Sequence, residues 1–338
     1  MSAAPPLTVL LPVYDAAEHV GAAIASVLDQ SFGDFELLVI DDGSTDESLE
    51  VVRDFSDKRI RVETQPENRG LIATLNAGIA MARGALLARM DADDLSYPGR
   101  LALQVAHLGA HPDVAGVSGG FDIIDAHGER LAEDYGWFRP TDPLVLRWAL
   151  HFGCVFTHAA AMLRTAVLRA AGGFDPRYVH AEDYELWLRL VDGHRLANVP
   201  DVLLAVRKHG ANVSTRHFAV QRASAHRALH GALERQLARP VELALAAHVY
   251  EGTLPAAPSD TRAVARLHGE ILRAVARDAR PHQRRAMAAD LAERLGVLAA
   301  RALRSQPWTT PLLAAIGARH GAAAFARGFA HCRRGDRR

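Results

Sequence analysis

Two stretches decide how this chain folds: Phe35-Glu36-Leu37-Leu38-Val39-Ile40-Asp41-Asp42-Gly43-Ser44-Thr45-Asp46, and further on Leu86-Leu87-Ala88-Arg89-Met90-Asp91-Ala92-Asp93-Asp94. Each is a short apolar run, of strand length, that ends abruptly in carboxylates. In an open α/β sheet ligands sit outside the carboxyl ends of the strands. The pattern around the two stretches fits such a sheet. Leu7 to Leu11 is an apolar run between Pro5-Pro6 and Pro12. Glu18 to Gln30 carries Val20, Ala23, Ile24, Val27 and Leu28 at helical spacing. Asp46 to Phe55, Leu71 to Ala82 and Arg100 to Gly109 read as helices, and Ile60 to Val62 and Val114 to Val117 as strands. Strands alternating with helices over short connections predict an α/β fold with a mostly parallel, Rossmann-like sheet flanked by helices.

Beyond residue 118 the pattern loosens. Gly119 to Pro140 reads as irregular structure or a β-ribbon with a turn at Asp125 to Gly128. Ala159 to Leu163 and Val202 to Val206 read as strands, and Asp183 to Val191 as a helix. From Phe218 onward strand signals stop. Ala-, Arg- and Leu-rich helices are expected there, broken near Pro240, Pro255 to Pro258, Pro281 and Pro307. The expected division is a sheet domain over 1–215 and a helical C-terminal region over 216–338.

Lys plus Arg and Asp plus Glu each number 39, yet the charge is unevenly placed: from Asp260 to the end there are 16 Arg against 6 acidic residues. That basic surplus suits peripheral contact with a membrane surface or another polyanion, or a solvated helical surface; no nucleic-acid partner is expected. Two cysteines, Cys154 and Cys332, without metal-ligand spacing, point away from a disulfide framework or a zinc site and towards a reducing cytosol. No stretch reaches the roughly 18 unbroken apolar residues that a membrane span needs, and Met1 to Pro6 does not read as a signal peptide. A cytoplasmic chain, at most peripheral at the inner face of a membrane, is expected.

The chemistry begins at Pro12-Val13-Tyr14-Asp15. An aromatic ring at a strand end can stack on a base, and Asp42 could accept a hydrogen bond from a base N–H. A turn with a helix cap also uses Asp, Gly, Ser and Thr, and Asp46 fits that alone. Asp91-x-Asp93 is more specific. A nucleoside diphosphate needs a hard divalent cation, and Mg²⁺ or Mn²⁺ takes carboxylate, phosphate and water oxygens. The residues after Asp94 lack the Gly and Glu of an EF-hand loop. Glu182 and Asp183 open a predicted helix, where carboxylates also complement the helix dipole.

Val9-Leu10-Leu11-Pro12-Val13-Tyr14, Gln30-Ser31-Phe32, Asp41 to Asp46, Glu67-Asn68-Arg69-Gly70, Leu75-Asn76-Ala77-Gly78 and Arg89 to Asp94 occur in that order. Together they resemble the family 2 inverting glycosyltransferases of GT-A fold, over roughly Leu7 to Ser214. The resemblance implies that Tyr14 and Asp42 hold the base of a nucleoside diphosphate, that Pro12 shapes the loop beneath it, and that Arg69 lies near the nucleotide. It implies that Asp91 and Asp93 meet ribose and metal. Asp183, with Glu182 as the alternative, would be the base that deprotonates an acceptor hydroxyl. Arg207-Lys208-His209 resembles a segment that closes over the donor, so Arg207 or His209 would contact the diphosphate and His209 could ligate the metal. Trp187 reads as core or as a sugar-stacking ring. His158 reads as core, a cap or an acceptor contact. The Q-x-x-R-W motif of processive synthases is not seen after Asp183.

The resemblance thus implies a metal-dependent, non-processive transferase. It would move a sugar from a nucleoside diphosphate donor, a UDP- or dTDP-sugar, to a glycan or other hydroxyl acceptor in surface polysaccharide assembly. Two alternatives stand beside it: a catalytically silent nucleotide-binding module, and a sugar-1-phosphate nucleotidyltransferase. The second should carry a Gly-rich, Arg-containing loop where this chain has Pro12 to Ala17.

Overall fold

The computed structural model describes residues 4–131, 139–208, 217–255, 257–305 and 310–335. The chain divides into two compact units, one of residues 1–143 with 155–224, the other of 144–154 with 225–338.

The first unit is built on one eight-stranded sheet. Its strands are β1 (Leu7–Val13), β2 (Phe35–Asp41), β3 (Ile60–Thr64), β4 (Leu86–Arg89), β5 (Leu95–Ser96), β6 (Val114–Ile124), β7 (Met162–Arg164) and β8 (Arg195–Arg207). They lie in the order β3-β2-β1-β4-β7-β6-β8-β5. The β1–β2, β1–β4, β2–β3 and β6–β8 pairs are parallel, and β4–β7, β6–β7 and β5–β8 are antiparallel. The helices are α1 (Val20–Leu28), α2 (Ser48–Arg53), α3 (Leu71–Met81), α4 (Arg100–Ala110), α6 (Thr165–Ala170) and α7 (Glu182–Leu190); α5 (Pro143–Ala149) begins in this unit and continues into the other.

Every residue of β1 and β2 is buried. Central parallel strands are covered on both faces, so they read as unbroken apolar runs and not as alternating ones. Val20, Ala23, Ile24 and Val27 form the buried stripe of α1, as their spacing predicts. Gln104 of α4 donates to the carbonyls of Val117 (3.1 Å) and Ala160 (2.7 Å), which ties the helix to the sheet beneath it.

Over Gly119 to Leu131 the β-ribbon alternative holds: Ile124 bridges Arg130 antiparallel, and the Leu131 N–H donates to the Ile123 carbonyl (2.8 Å). β6 continues unbroken to Ile124 against β8, which itself runs 13 residues, and the predicted turn follows at Asp125 to Gly128. Gly119 and Gly120 weaken the local strand signal, but pairing with β8 supplies hydrogen bonds that no local reading can see. The short β5 was unexpected. It exists because Leu95 and Ser96 pair with Ala205 and Leu204 across the end of β8.

The second unit is helical: α8 (Phe218–Leu237) from Ala225 onward, α9 (Leu243–Glu251), α10 (Pro258–Val275), α11 (Pro281–Ser305) and α12 (Thr310–Gly335), with α5 from Leu144 and a 3₁₀ turn at Leu150–Phe152. The breaks fall at the predicted prolines that lie among the described residues. Helices α11 and α12 form a close hairpin. A Cβ at Gly328 would stand 2.0 Å from the Glu293 carbonyl oxygen, and one at Gly296 2.2 Å from that of Phe325. Glycine at these two positions lets the backbones touch. Trp148 donates its Nε1–H to Asp290 (2.7 Å), and Arg294 lies 4.0 Å above the Phe152 ring and donates to the same carboxylate. These contacts bind the α5 segment to α11 within this unit.

Candidate active site

The loops after β1, β2 and β3 are stitched together at one edge of the sheet. Asp15 adopts a left-handed backbone (φ 45°), and its carboxylate accepts the Thr45 N–H at 2.8 Å. The Asp15, Ala16 and Ala17 N–H groups donate back to Ser44, Ser48 and Asp46. Asp42, 3% exposed, accepts the backbone N–H groups of Arg69 and Gly70, each at 2.9 Å. Gly43 has φ 71°, and a Cβ there would stand 2.6 Å from the Glu67 carbonyl carbon. Only glycine allows this crossing of loops. Pro12 lies buried in β1, and directly after the strand Tyr14 presents its ring to solvent at 47% exposure. The Arg69 side chain is exposed at the same rim.

At the end of β4, Asp91, Asp93 and Asp94 each offer a carboxylate oxygen within 4.8 Å of the others. Arg100, fully buried, supports this loop from below. Its guanidinium donates to the Arg89 carbonyl (2.6 Å) and to Gln104 (3.1 Å), and burial beside Arg89 lowers it to about 10. Arg89 is buried too and forms an ion pair with Asp91. Burial, then the charges of Asp91 and Asp93, push Asp94 well above the ordinary carboxylate range. Three crowded carboxylates, one of them pushed up by the other two, fit a hard divalent cation, which would relieve that repulsion.

Arg207 corrects the sequence reading. Expected against a diphosphate, it is 5% exposed, and its guanidinium donates to the carbonyls of Asp93 (2.9 Å), Asp125 (3.1 Å) and Ala126 (2.9 Å). Its backbone N–H donates to Asp94 (2.9 Å). The arginine holds the acidic loop in place. His209, the expected further metal ligand, lies outside the described residues.

Glu182 and Asp183 occupy the first turn of α7, as expected. The chain enters through His180 in a left-handed conformation (φ 66°), whose ring stacks on that of His217. Burial first, and the Asp183 charge second, raise Glu182 to about 7. The charge of Arg89 acts on Glu182 and also on His158, which places the end of β4 within electrostatic reach of α7. Trp187 is fully buried with its ring against Phe156 (centroids 4.8 Å), so it is a core residue and no sugar platform. His158 packs against Phe174 and Trp187, and burial pushes it well below the usual histidine range. Sequence reasoning gave Asp94 and Arg89 no role, although both lie in the run that carries Asp91 and Asp93.

The sequence model of "Glycosyl transferase family 2" matches residues 8–171. The amylovoran biosynthesis glycosyltransferase AmsE of Erwinia amylovora is 31% identical over 216 residues, covering 62% of this chain and 79% of AmsE. The chain belongs to glycosyl transferase family 2. Among solved structures, S. aureus TarS 1-349 in complex with UDP-GlcNAc superposes with a TM-score of 0.58 at 16% identity, over 97% of this chain and 92% of that one. The mannosyltransferase PcManGT of Pyrobaculum calidifontis, in complex with GDP-Man and Mn²⁺, gives a TM-score of 0.54 at 22% identity, over 96% and 87%. The fold is GT-A, and this family 2 protein is a glycosyltransferase. Among the described residues, no helix is long and apolar enough to cross a membrane.

Proposed function

We propose that this glycosyltransferase moves a sugar, with inversion and one unit per encounter, from a UDP- or dTDP-sugar to a hydroxyl of a glycan or other acceptor. The observation that carries the reading is the three-carboxylate cluster at the end of β4, within electrostatic reach of the acidic first turn of α7. The sheet unit binds the donor, with the Tyr14 ring against the base and Asp42 fixing the loop through Arg69 and Gly70. Asp91 and Asp93, with Asp94 beside them, would hold Mg²⁺ or Mn²⁺, which would offset the charge growing on the departing diphosphate. PcManGT, of the same fold, is known in complex with Mn²⁺.

Asp183 removes the proton from the acceptor hydroxyl as its oxygen attacks the anomeric carbon opposite the diphosphate. A single displacement inverts that carbon. Glu182 beside it, raised to about 7 by burial and then by the Asp183 charge, is the alternative base. Holding donor and acceptor in line supplies much of the rate. The setting that goes with this reading is polysaccharide assembly at the cytoplasmic face of a membrane.

The test is a thermal-shift titration with UDP, dTDP, GDP and ADP, each with and without Mn²⁺. A ligand bound only by the folded state raises its stability by mass action. Metal-dependent stabilisation by UDP or dTDP supports the reading. Stabilisation by GDP alone would reassign the donor, and no shift with any of them would overturn the pocket assignment.

A further inference from the structure

Helix α10 has two unlike faces. Val264, Ala265, Leu267, His268, Ile271, Leu272 and Val275 are buried, whereas Arg262, Arg266 and Arg273 are exposed. At 3.6 residues per turn these three arginines fall within an arc of about 40° and span about 17 Å of helix. Arg277, in the turn that follows, continues the row and is also exposed. Gly269 occupies the gap in the row, and the Arg273 guanidinium lies back over it, 3.6 Å from where a Cβ would stand. Among the described residues none of the four arginines pairs with a carboxylate; Glu270, beside the row, is engaged by Arg239. The neighbouring His320 is pushed down by burial and then by Arg273 and Arg319, so the positive field extends onto α12.

Alongside runs a groove of about 250 Å³, with Val241, Leu245 and Leu267 as its apolar lining and Arg239, Arg266 and Glu270 as its polar one. Leu243, between two of the lining residues in sequence, is 47% exposed. A solvated helix face explains neither the one-signed row nor the apolar groove beside it. A soluble polyanion would use the row and leave the groove idle. Guanidinium groups beside the exposed Leu243 and the half-buried Leu245 match the boundary between headgroup phosphates and acyl chains.

We propose that the α10 arginine row and its adjoining groove dock this glycosyltransferase on an anionic phospholipid surface. The proposal does not rest on the donor or metal assignments.

The test is co-sedimentation of the full chain with vesicles of phosphatidylcholine alone or with phosphatidylglycerol added, over a salt series. Wild type is expected to sediment only with the anionic vesicles and to be released as salt rises. Each arginine near an anionic surface strengthens binding roughly fivefold. The combined Arg262→Gln, Arg266→Gln, Arg273→Gln, Arg277→Gln variant should therefore bind weaker by at least about a hundredfold. These side chains are exposed, so its melting temperature should match wild type; the salt series on wild type needs no variant. Equal sedimentation with both vesicle types, binding by the variant equal to wild type, or retention on heparin without vesicle binding would each overturn the proposal.

Discussion

Glu182→Gln should make the protein more stable at pH 8 than at pH 5, relative to wild type at each pH. In the folded chain this carboxyl is 6% exposed and raised to about 7, from an ordinary value of 4.5. A raised carboxyl favours folding while it stays protonated. Its contribution is complete below pH 4.5 and is lost as pH rises through 7. Between pH 5 and pH 8 the loss amounts to about 2–3 kcal/mol, at 1.36 kcal/mol per pKa unit. Glutamine never ionises and escapes that loss. Any hydrogen bond the amide makes badly costs the same at both pH values and cancels in the comparison. Scanning calorimetry of both proteins at pH 5 and pH 8 reads the effect. For a unit of this size, the variant's melting temperature relative to wild type should be roughly 5–10 °C higher at pH 8 than at pH 5. A difference between variant and wild type that does not change with pH would refute the reasoning. It would mean that Glu182 is solvated in solution.

The other predictions concern the site. Asp183→Asn should reduce transfer by at least about a thousandfold and leave nucleotide affinity unchanged, as seen by product assay and titration calorimetry; substantial turnover would remove Asp183 from the role of base. Asp93→Ala should abolish the part of nucleotide affinity that depends on Mn²⁺, and an unchanged metal dependence would misplace the cation. Arg207→Ala should cost about 2–4 kcal/mol of stability in urea unfolding, because three carbonyls lose a charged donor. Gly43→Ala should weaken nucleotide binding about tenfold or more by forcing residues 67–70 off Asp42, and a variant with native affinity would show that the rim tolerates the displacement.

Much of the sheet unit was legible because its signals are local. The β1, β2 and β4 runs, the helical stripe of α1 and the acidic strand ends each lie within a dozen residues. What was hidden depends on distant partners. The length of β6 is set by β8, about eighty residues later, and β5 exists only as a companion to β8. Residues 144–154 cluster with the C-terminal helices through Trp148, Phe152 and Arg294, which nothing in their own stretch announces. At the site the carboxylates could be read from spacing, but their supports could not. Arg89, Arg100 and Arg207 look like surface arginines in a sequence. They are buried because the carbonyls and carboxylates at the end of β4 need donors that water cannot reach.

The loop crossing at the sheet edge separates architecture from recognition. Asp42 grips Arg69 and Gly70 through backbone N–H groups, which every residue except proline carries. The side chains of Glu67, Asn68 and Arg69 at this rim are all exposed. Asn68 also accepts the Gly70 N–H through its Oδ1 (2.9 Å), but Glu67 and Arg69 can be exchanged for most other residues without disturbing the hydrogen bonds that set their positions. An engineer who wants a different donor preference could randomise positions 67 and 69 and leave the scaffold alone. A lineage diverging by point mutation would find the same latitude there.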